Sequence, residues 1–254
     1  MIQSVDRALD IMTYVSNNRG IPVTISDISK NTNINASTCC HIVDTLVHRG
    51  FLNKVSRSSG YVLGVYSYNL TRYKDFHRDL ILNTMPILRW LQNKTGYTTV
   101  LANLIEGDKF VLCYSDNPDN PLNQKGDIYK GTLYDSATGR AMLSELSDSE
   151  LKKVVKKVGL PKKDEWPDID SYTQLKNQLS TLKKAKIFKV ISIDEDKYIC
   201  KFGVSFVGNK SQIFAIGIDM HKNSKPIKKE IDSIEKLLLT AVQEVNRRMN
   251  FDKI

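Results

Sequence analysis

Short polar side chains cluster at the start of one predicted helix near the N-terminus. Ser37, Thr38, Cys40 and His41 lie in the stretch NASTCCHIVDTLVHR, whose apolar residues recur on the opposite face. Such side chains hydrogen-bond to phosphate oxygens and base edges, and a helix N-terminus itself attracts phosphate. The pattern predicts that this helix enters the major groove of double-stranded DNA.

The neighbouring segments predict the scaffold of a winged helix-turn-helix. The expected order is helix Ser4–Asn18, helix Ile25–Asn31, a helix from Asn35 or Ala36 to about Arg49, a strand from Phe51-Leu52, the turn Ser58-Ser59-Gly60 and strand Tyr61–Leu63. Ser4 is expected to cap the first helix, and Asn33 tolerates the left-handed turn before the third. The two strands form the wing, which brings Lys54 and Arg57 to the DNA backbone.

Ten residues are candidates for contact with DNA. They lie before and in the second helix, on the third helix and in the wing: Thr24, Ser26, Asn35, Ser37, Thr38, Cys40, His41, Lys54, Arg57 and Tyr61. The alternative is a small helical subdomain with a hairpin and no ligand. The order and spacing of all the elements together favour the DNA-binding interpretation, since any one segment alone is weak evidence.

The composition is typical of a soluble globular protein. The chain has 254 residues, of which 41% are hydrophobic and 26% are charged. The net charge is +9, but residues 1–79 contribute only +3 of it, so charge alone does not identify the DNA-binding part. Apolar runs fall far short of the roughly 20 residues that a membrane helix needs. The N-terminus lacks the features of a signal peptide, so we expect a cytoplasmic protein with no membrane partner.

Three segments of this region resemble the DNA-binding half of the IclR family of bacterial transcription regulators. The segments are SVDRALDIM, TISDISKNTNINASTCCHIVDTLVHRGFL and GYVLG. Asn33 stands where the family has Gly, and His41 stands where it has Arg, so the operator sequence does not follow from the family pattern. The resemblance implies a DNA-binding regulator, here a repressor, that acts on operator DNA as a homodimer or homotetramer.

The rest of the chain predicts an α+β domain with an antiparallel sheet. Strands are expected at Thr98–Ile105, Lys109–Tyr114, Gly131–Tyr134, Lys201–Val207 and Ile213–Met220, and helices at Leu80–Thr95, Ala137–Leu146, Leu151–Val158, Tyr172–Lys186 and after Pro226. Pro86 is expected to kink or restart its helix. With a winged helix-turn-helix at residues 1–64 and a linker helix at 65–79, the resemblance to the family implies that residues 80–254 form a GAF-like effector-binding and oligomerisation domain.

The segment YDSATGRAML, residues 134–143, resembles the H-x-S-A-x-G-K-A-L-L segment of the same family's effector-binding domain. The resemblance implies a site for a small-molecule effector such as an organic acid, formed by Ser136, Ala137, Thr138, Gly139, Asp194, Cys200, Gly217 and Asp219. A carboxylate at Asp219 would repel an acidic effector, so a neutral or cationic ligand and an unused pocket stay open. The alternative is that these residues only pack or satisfy turns.

Other classes of function find little support in the sequence. No P-loop, GxGxxG or nucleophile-elbow motif occurs, so we expect no enzyme and no cofactor. No CxxC pair occurs, and His41 and His48 lie too far apart along one helix to bind one metal ion. The vicinal pair Cys39-Cys40 leaves redox sensing open. A metabolite-binding or scaffolding protein, whose winged helix mediates protein contacts, is the alternative to the regulator.

Overall fold

The computed structural model describes two units, Met1–Arg78 and Asp79–Ile254. The described residues are 2–18, 20–56, 59–70, 77–116, 130–131, 133–194 and 197–251. Within these ranges no helix is both long and apolar enough to span a membrane.

The first unit has the predicted helix-turn-helix with a hairpin behind it. Its elements are α1 (Gln3–Asn17), α2 (Ile25–Thr32), α3 (Ala36–His48), β1 (Leu52–Ser56), β2 (Gly60–Leu63) and α4 (Val65–Leu70). The helix α1 begins after Ile2 without a side-chain cap, so the predicted capping role of Ser4 is wrong. Of the segment predicted to link the domains, α4 is described, and residues 71–76 lie outside the described ranges.

The turn between α2 and α3 is set by Asn33 and Ile34. Asn33 ends α2 in the left-handed conformation, with φ 55°, as its residue type predicts. Ile34 follows and is buried in the angle between the helices. Cys39 lies in the same core, and its thiol donates a 3.6 Å hydrogen bond to the Ile34 carbonyl. Because the apolar face of α3 is buried in this core, its polar face points outward.

The wing is tied to the segment before α2. The strands β1 and β2 are antiparallel, and Lys54 lies opposite Tyr61. Val23 forms a bridge with Tyr61 through two backbone hydrogen bonds, of 3.0 and 2.8 Å. Gly60 lies at the start of β2 with φ +95°, a conformation that favours glycine.

The second unit is a six-stranded antiparallel sheet with helices on both faces, and it confirms the α+β fold class. Its elements are α5 (Arg78–Thr95), β3 (Thr98–Ile105), β4 (Asp108–Ser115), β5 (Lys130–Gly131), α6 (Ala137–Ser144), α7 (Asp148–Val158), α8 (Tyr172–Ala185), β6 (Phe188–Asp194), β7 (Lys197–Val207), β8 (Ile213–Lys222) and α9 (Lys228–Met249). The strand order is β5-β4-β3-β8-β7-β6. The strand β6 was not predicted, and α5 continues through Pro86.

Two cores cover the two faces of this sheet. On one face, α5 and α9, with side chains such as Leu88 and Leu238, pack against sheet residues such as Phe202 and Ile216. On the other face, α6 and its neighbours pack against residues such as Ala102 and Ala215. The helical spacing of apolar residues in the sequence predicts that Leu82 and Ile227 face inward, but they are 60% and 66% exposed.

The helix α7 begins at a capping box formed by Ser147 and Glu150, whose contribution to stability can be measured. Ser147 Oγ accepts a hydrogen bond from Glu150 N, and a Glu150 carboxylate oxygen accepts one from Ser147 N at 2.8 Å. Ser147→Ala removes the hydroxyl that accepts from Glu150 N and leaves the backbone donor of residue 147, so we expect the free energy of unfolding to fall by about 1 kcal/mol. Denaturant unfolding of the second unit measures it. Ser180→Ala, an exposed position inside α8, is the control and should change stability by less than about 0.5 kcal/mol.

Candidate DNA-binding surface and effector site

The first turn of α3 presents an exposed polar surface. Ser37, Cys40 and His41 are exposed, and Thr38 is half-buried. The Asn35 side chain is used locally, because its Oδ1 accepts a 2.9 Å hydrogen bond from Thr38 N and caps the helix. The turn carries no acidic residue, so the positive end of the helix dipole is left for an anion such as a DNA phosphate.

The start of α2 is different, because it already holds a carboxylate. Thr24 Oγ1 accepts a hydrogen bond from Asp27 N, and Asp27 Oδ2 accepts one from Thr24 N at 3.0 Å. The Thr24 hydroxyl also donates a 2.6 Å hydrogen bond to Asp27 Oδ2, and this bond and the one from Thr24 N lower the pKa of the Asp27 carboxyl, so the negative charge persists there at neutral pH. Ser26 is exposed beside this cap. The geometry therefore favours the start of α3 over the start of α2 as the place for a phosphate.

The wing presents one lysine supported by one aromatic ring. Lys54 is exposed on β1, and its Nζ lies 5.6 Å from the centroid of the Tyr61 ring. Tyr61 is only 7% exposed and belongs to the core of the unit, so the structure gives it a supporting position beneath Lys54. Arg57, the second predicted wing residue, lies outside the described residues.

In the second unit, a buried lysine that the sequence analysis missed lies at the centre of the candidate effector site. Lys109 on β4 is 8% exposed, and its Nζ donates a 3.0 Å hydrogen bond to Ser136 Oγ and lies 3.5 Å from Thr138 Oγ1. Ser136 Oγ also accepts from Gly139 N at 3.1 Å and so caps α6. Burial lowers the pKa of Lys109, while the negative charges of Asp219 and Asp135 oppose this shift.

Asp219 lies on the same face of the sheet as these groups. Its position on β8 is directly across from Lys201 on β7. Lys201 nevertheless binds elsewhere, with its Nζ 3.2 Å from the Asp135 carbonyl and 3.8 Å from Asp135 Oδ2. Burial raises the pKa of the Asp219 carboxyl, and the charges of Lys201 and Lys109 oppose it. The predicted residues Ser136, Thr138 and Asp219 are therefore brought together with two lysines.

Ala137 and Gly217 form the packed backing of this site. A Cβ added to Gly217 would lie 2.5 Å from Thr138 Cγ2, and one added to Gly203 would lie 2.6 Å from the Ala137 carbonyl carbon. The helix α6 thus lies almost directly on the backbone of β7 and β8. Ala137 is 1% exposed and fills the contact between helix and sheet.

The structure does not bring Cys200 or Asp194 to this cluster. Cys200 lies in the core under α5 and α9, on the face of β7 opposite to Lys201, and burial raises the pKa of its thiol. Asp194 ends β6, where its backbone pairs with Lys197, and its side chain lies outside the described residues. Among the described residues, no group of three or more His, Cys, Asp or Glu side chains is arranged to hold a metal ion.

The chain is a two-domain protein with a winged helix-turn-helix followed by an α+β sheet domain. Known proteins with similar sequences share these features. Residues 4–56 match the family model for the IclR helix-turn-helix domain. The transcriptional repressor IclR of Escherichia coli K12 is 23% identical over 161 residues, which are 63% of this chain and 58% of that protein. The repressor AllR of Escherichia coli K12 is 24% identical over 176 residues, 69% of this chain and 64% of that protein.

Solved structures share the fold over the whole length. An IclR homolog from Microbacterium hydrocarbonoxydans, complexed with 4-hydroxybenzoate, has a TM-score of 0.74 at 17% identity and covers 98% of this chain and 100% of its own. The Thermotoga maritima IclR has a TM-score of 0.67 at 19% identity and covers 98% and 99%. The N-terminal domain is an IclR helix-turn-helix domain and the chain has the fold of the IclR regulators, so the predicted resemblance to this family is confirmed.

Proposed function

We propose that this protein is a DNA-binding transcription regulator, a repressor, whose binding to operator DNA is modulated by a small molecule in the second unit. The exposed polar first turn of α3, with no acidic residue, is the observation that carries the DNA-binding part. The names of the relatives support the same conclusion, since they include the acetate operon repressor of Salmonella typhimurium. Ser37, Thr38 and His41 contact the major groove, and Lys54 and Arg57 hold the phosphate backbone.

The effector site proposed for the second unit is the cluster around the start of α6. The support is a buried lysine and two hydroxyls at a helix N-terminus, all of which suit an anionic group. The relative from Microbacterium hydrocarbonoxydans was solved in complex with 4-hydroxybenzoate, a small carboxylate, which supports a ligand of this kind. Ligand binding is coupled to DNA affinity, and the coupling is reciprocal.

The assembly that fits this function is a homodimer or homotetramer in the cytoplasm. Two copies of the winged helix then meet two half-sites of an operator with two-fold symmetry. We assign DNA binding to residues 1–64, linkage to residues 65–79, and effector binding with oligomerisation to residues 80–254. Size-exclusion chromatography with light scattering measures the number of chains in the assembly.

The DNA-binding proposal is tested with the double substitution Ser37→Ala, Thr38→Ala. Both side chains lie on the outer side of α3 near its N-terminus, so their removal deletes contacts with DNA but no core packing. We expect affinity for the DNA upstream of the protein's own gene to fall at least about 30-fold, since each specific contact contributes about 1–3 kcal/mol. Fluorescence anisotropy at several salt concentrations measures the affinity and its salt dependence.

Ser192→Ala is the matched control for this experiment. Ser192 is an exposed serine on β6 in the second unit, so its replacement should leave the affinity for DNA unchanged. Absence of salt-sensitive binding by the unsubstituted protein would count against a DNA-binding function. Equal affinities of the double variant and the Ser192→Ala variant would count against the assignment of the contact surface to α3.

A further inference from the structure

Four charged side chains surround the start of α6, but only two of them form an ion pair with each other. Lys109 and Asp219 lie on β4 and β8, and Asp135 and Lys201 approach from the segment before α6 and from β7. Lys201 is engaged by Asp135. Lys109 and Asp219 are left as one cation and one anion on the same face of the sheet. Each feels the other's charge, but neither forms an ion pair within 4 Å with a described residue.

The partners of Lys109 are hydroxyl oxygens only. No carboxylate lies within 4 Å of its Nζ among the described residues, and the ammonium group is nonetheless buried. A buried cation without a counter-ion is unfavourable, and an anion that reaches it in a low-dielectric site is bound strongly. The site around Lys109 therefore suits an anionic group of the ligand.

Two carboxylates of the same site lack hydrogen-bond donors. Asp219 is half-buried, and no described residue donates a hydrogen bond to it or pairs with it within 4 Å. Asp135 Oδ1 is buried and has no hydrogen-bond partner in the described part of the chain. A buried acceptor without a donor, such as Asp135 Oδ1, costs roughly 1–3 kcal/mol, and the half-buried Asp219 has no donor among the described residues, so these residues leave room for N–H donors on this side. A ligand that carries an ammonium group supplies them, whereas a simple organic anion adds a like charge beside Asp219.

The two halves of the site lie close enough for one small molecule. Thr138 Oγ1 is 3.5 Å from Lys109 Nζ, and the methyl group of the same side chain packs against the backbone of Gly217. Asp219 is two residues further along β8 and faces the same side, at a spacing of roughly 6–7 Å. Thr138 thus links the cationic end of the site to the anionic end.

We propose that the effector is a small zwitterion, an amino acid or a related amino-carboxylate, with its carboxylate on Lys109 and its ammonium group on Asp219. This rests on the proposed function of the second unit as an effector domain. The site also distinguishes this ligand from the carboxylate found with the Microbacterium relative, since a carboxylate alone leaves Asp219 without a donor.

The test is calorimetric titration of the full chain with matched pairs of ligands. The probes are the proteinogenic amino acids and 4-aminobutyrate, each paired with the same acid without its amino group, such as L-phenylalanine with 3-phenylpropionate. 4-Hydroxybenzoate is added as a carboxylate without an amine. We expect at least one amino-carboxylate to bind, with its deaminated partner at least about tenfold weaker, because only the former satisfies Asp219.

Two variants locate the binding energy, and a third is their control. Asp219→Asn should weaken the amino-carboxylate at least about tenfold and leave the deaminated acid little changed. Lys109→Gln should abolish binding of both ligands. Asp232→Asn, at an exposed aspartate of α9, should change neither affinity. Circular dichroism of each variant shows whether the fold is retained, and Asp219→Ser provides a second variant with the same expected loss of discrimination.

Three outcomes would overturn the proposal. They are binding of deaminated acids as tightly as their amino partners, binding of no member of the panel, and unchanged discrimination in both Asp219 variants. The anisotropy measurement on DNA needs no ligand, so a failure of the proposed DNA-binding function is seen separately from a failure of the zwitterion assignment.

Discussion

Gly60→Ala is expected to destabilise the winged helix-turn-helix by at least about 3 kcal/mol and to abolish binding to DNA. A Cβ at this position would lie 2.2 Å from the Val23 carbonyl oxygen, which is backbone and cannot rotate away. The residue also has φ +95°, where an L side chain adds strain of about 1–3 kcal/mol. Relief of the overlap requires that the wing separate from Val23, which breaks the two hydrogen bonds between Val23 and Tyr61.

Gly20→Ala is the matched control because it adds the same backbone strain at a positive φ but no steric overlap of the new Cβ with a neighbour. Gly20 has φ +84°, and nothing lies within 4 Å of the added Cβ. We expect a loss of only about 1–2 kcal/mol there. Native-state hydrogen exchange, read on peptides from α1 to α3, measures both variants, while peptides from the second unit serve as an internal reference. Equal losses in the two variants would mean that the contact between Val23 and the wing does not stabilise the unit.

The second large effect is expected from Arg140, which replaces the family pattern's lysine in the segment at the start of α6. Arg140 is 8% exposed, and its Nε donates a 2.6 Å hydrogen bond to the Tyr134 carbonyl. Its Nη2 donates a 2.8 Å hydrogen bond to the Glu165 carbonyl. The guanidinium carbon lies 3.9 Å from the centroid of the Trp166 ring. Burial lowers the pKa of Arg140 to about 10, so the side chain stays protonated at neutral pH.

Arg140→Met is expected to lower the free energy of unfolding of the second unit by about 3–5 kcal/mol. The change leaves two backbone carbonyls without donors, at roughly 1–3 kcal/mol each, and removes the contact between cation and ring. Arg140→Lys keeps the charge but cannot reach both carbonyls with one planar group, so an intermediate loss is expected. Denaturant unfolding followed by Trp166 fluorescence provides the measurement.

Arg89→Met is the control for Arg140. Arg89 is an exposed arginine of α5 in the same unit, and its replacement should change stability by less than about 0.5 kcal/mol. If Arg140→Met were no more destabilising than Arg89→Met, the guanidinium would not be holding Tyr134, Glu165 and Trp166 together.

Elements with a local signal were predictable from the sequence. Asn33 lies in the left-handed turn where it was expected, and the caps at Ser136 and Ser147 have the local sequence signal of a serine three residues before its partner. The strand β6 was missed because it lies at the edge of the sheet. Its Ile191 and Ile193 are 58% and 65% exposed, so no alternation of buried and exposed residues marks it.

The candidate effector site was predictable only in part. Ser136 and Thr138 carry a family motif, but Lys109 has no local signal, since a lysine on a strand is usually exposed. Its burial depends on hydroxyls that are 27 and 29 residues away in the chain. The alternation of side chains along a strand could have shown that Cys200 does not belong to the site. Cys200 points to the same face of β7 as the core residues Phe202 and Val204, opposite to the face on which Asp219 lies.

The contact between α6 and the sheet determines how a ligand can act mechanically. At Gly203 and Gly217 the helix meets backbone or a short methyl group, with no long side chain between the two surfaces to change rotamer. Close-packed interiors have low compressibility and pass on a displacement instead of absorbing it. A ligand that moves the first turn of α6 therefore moves β7 and β8 with it, so the helix and the two strands move as one rigid unit.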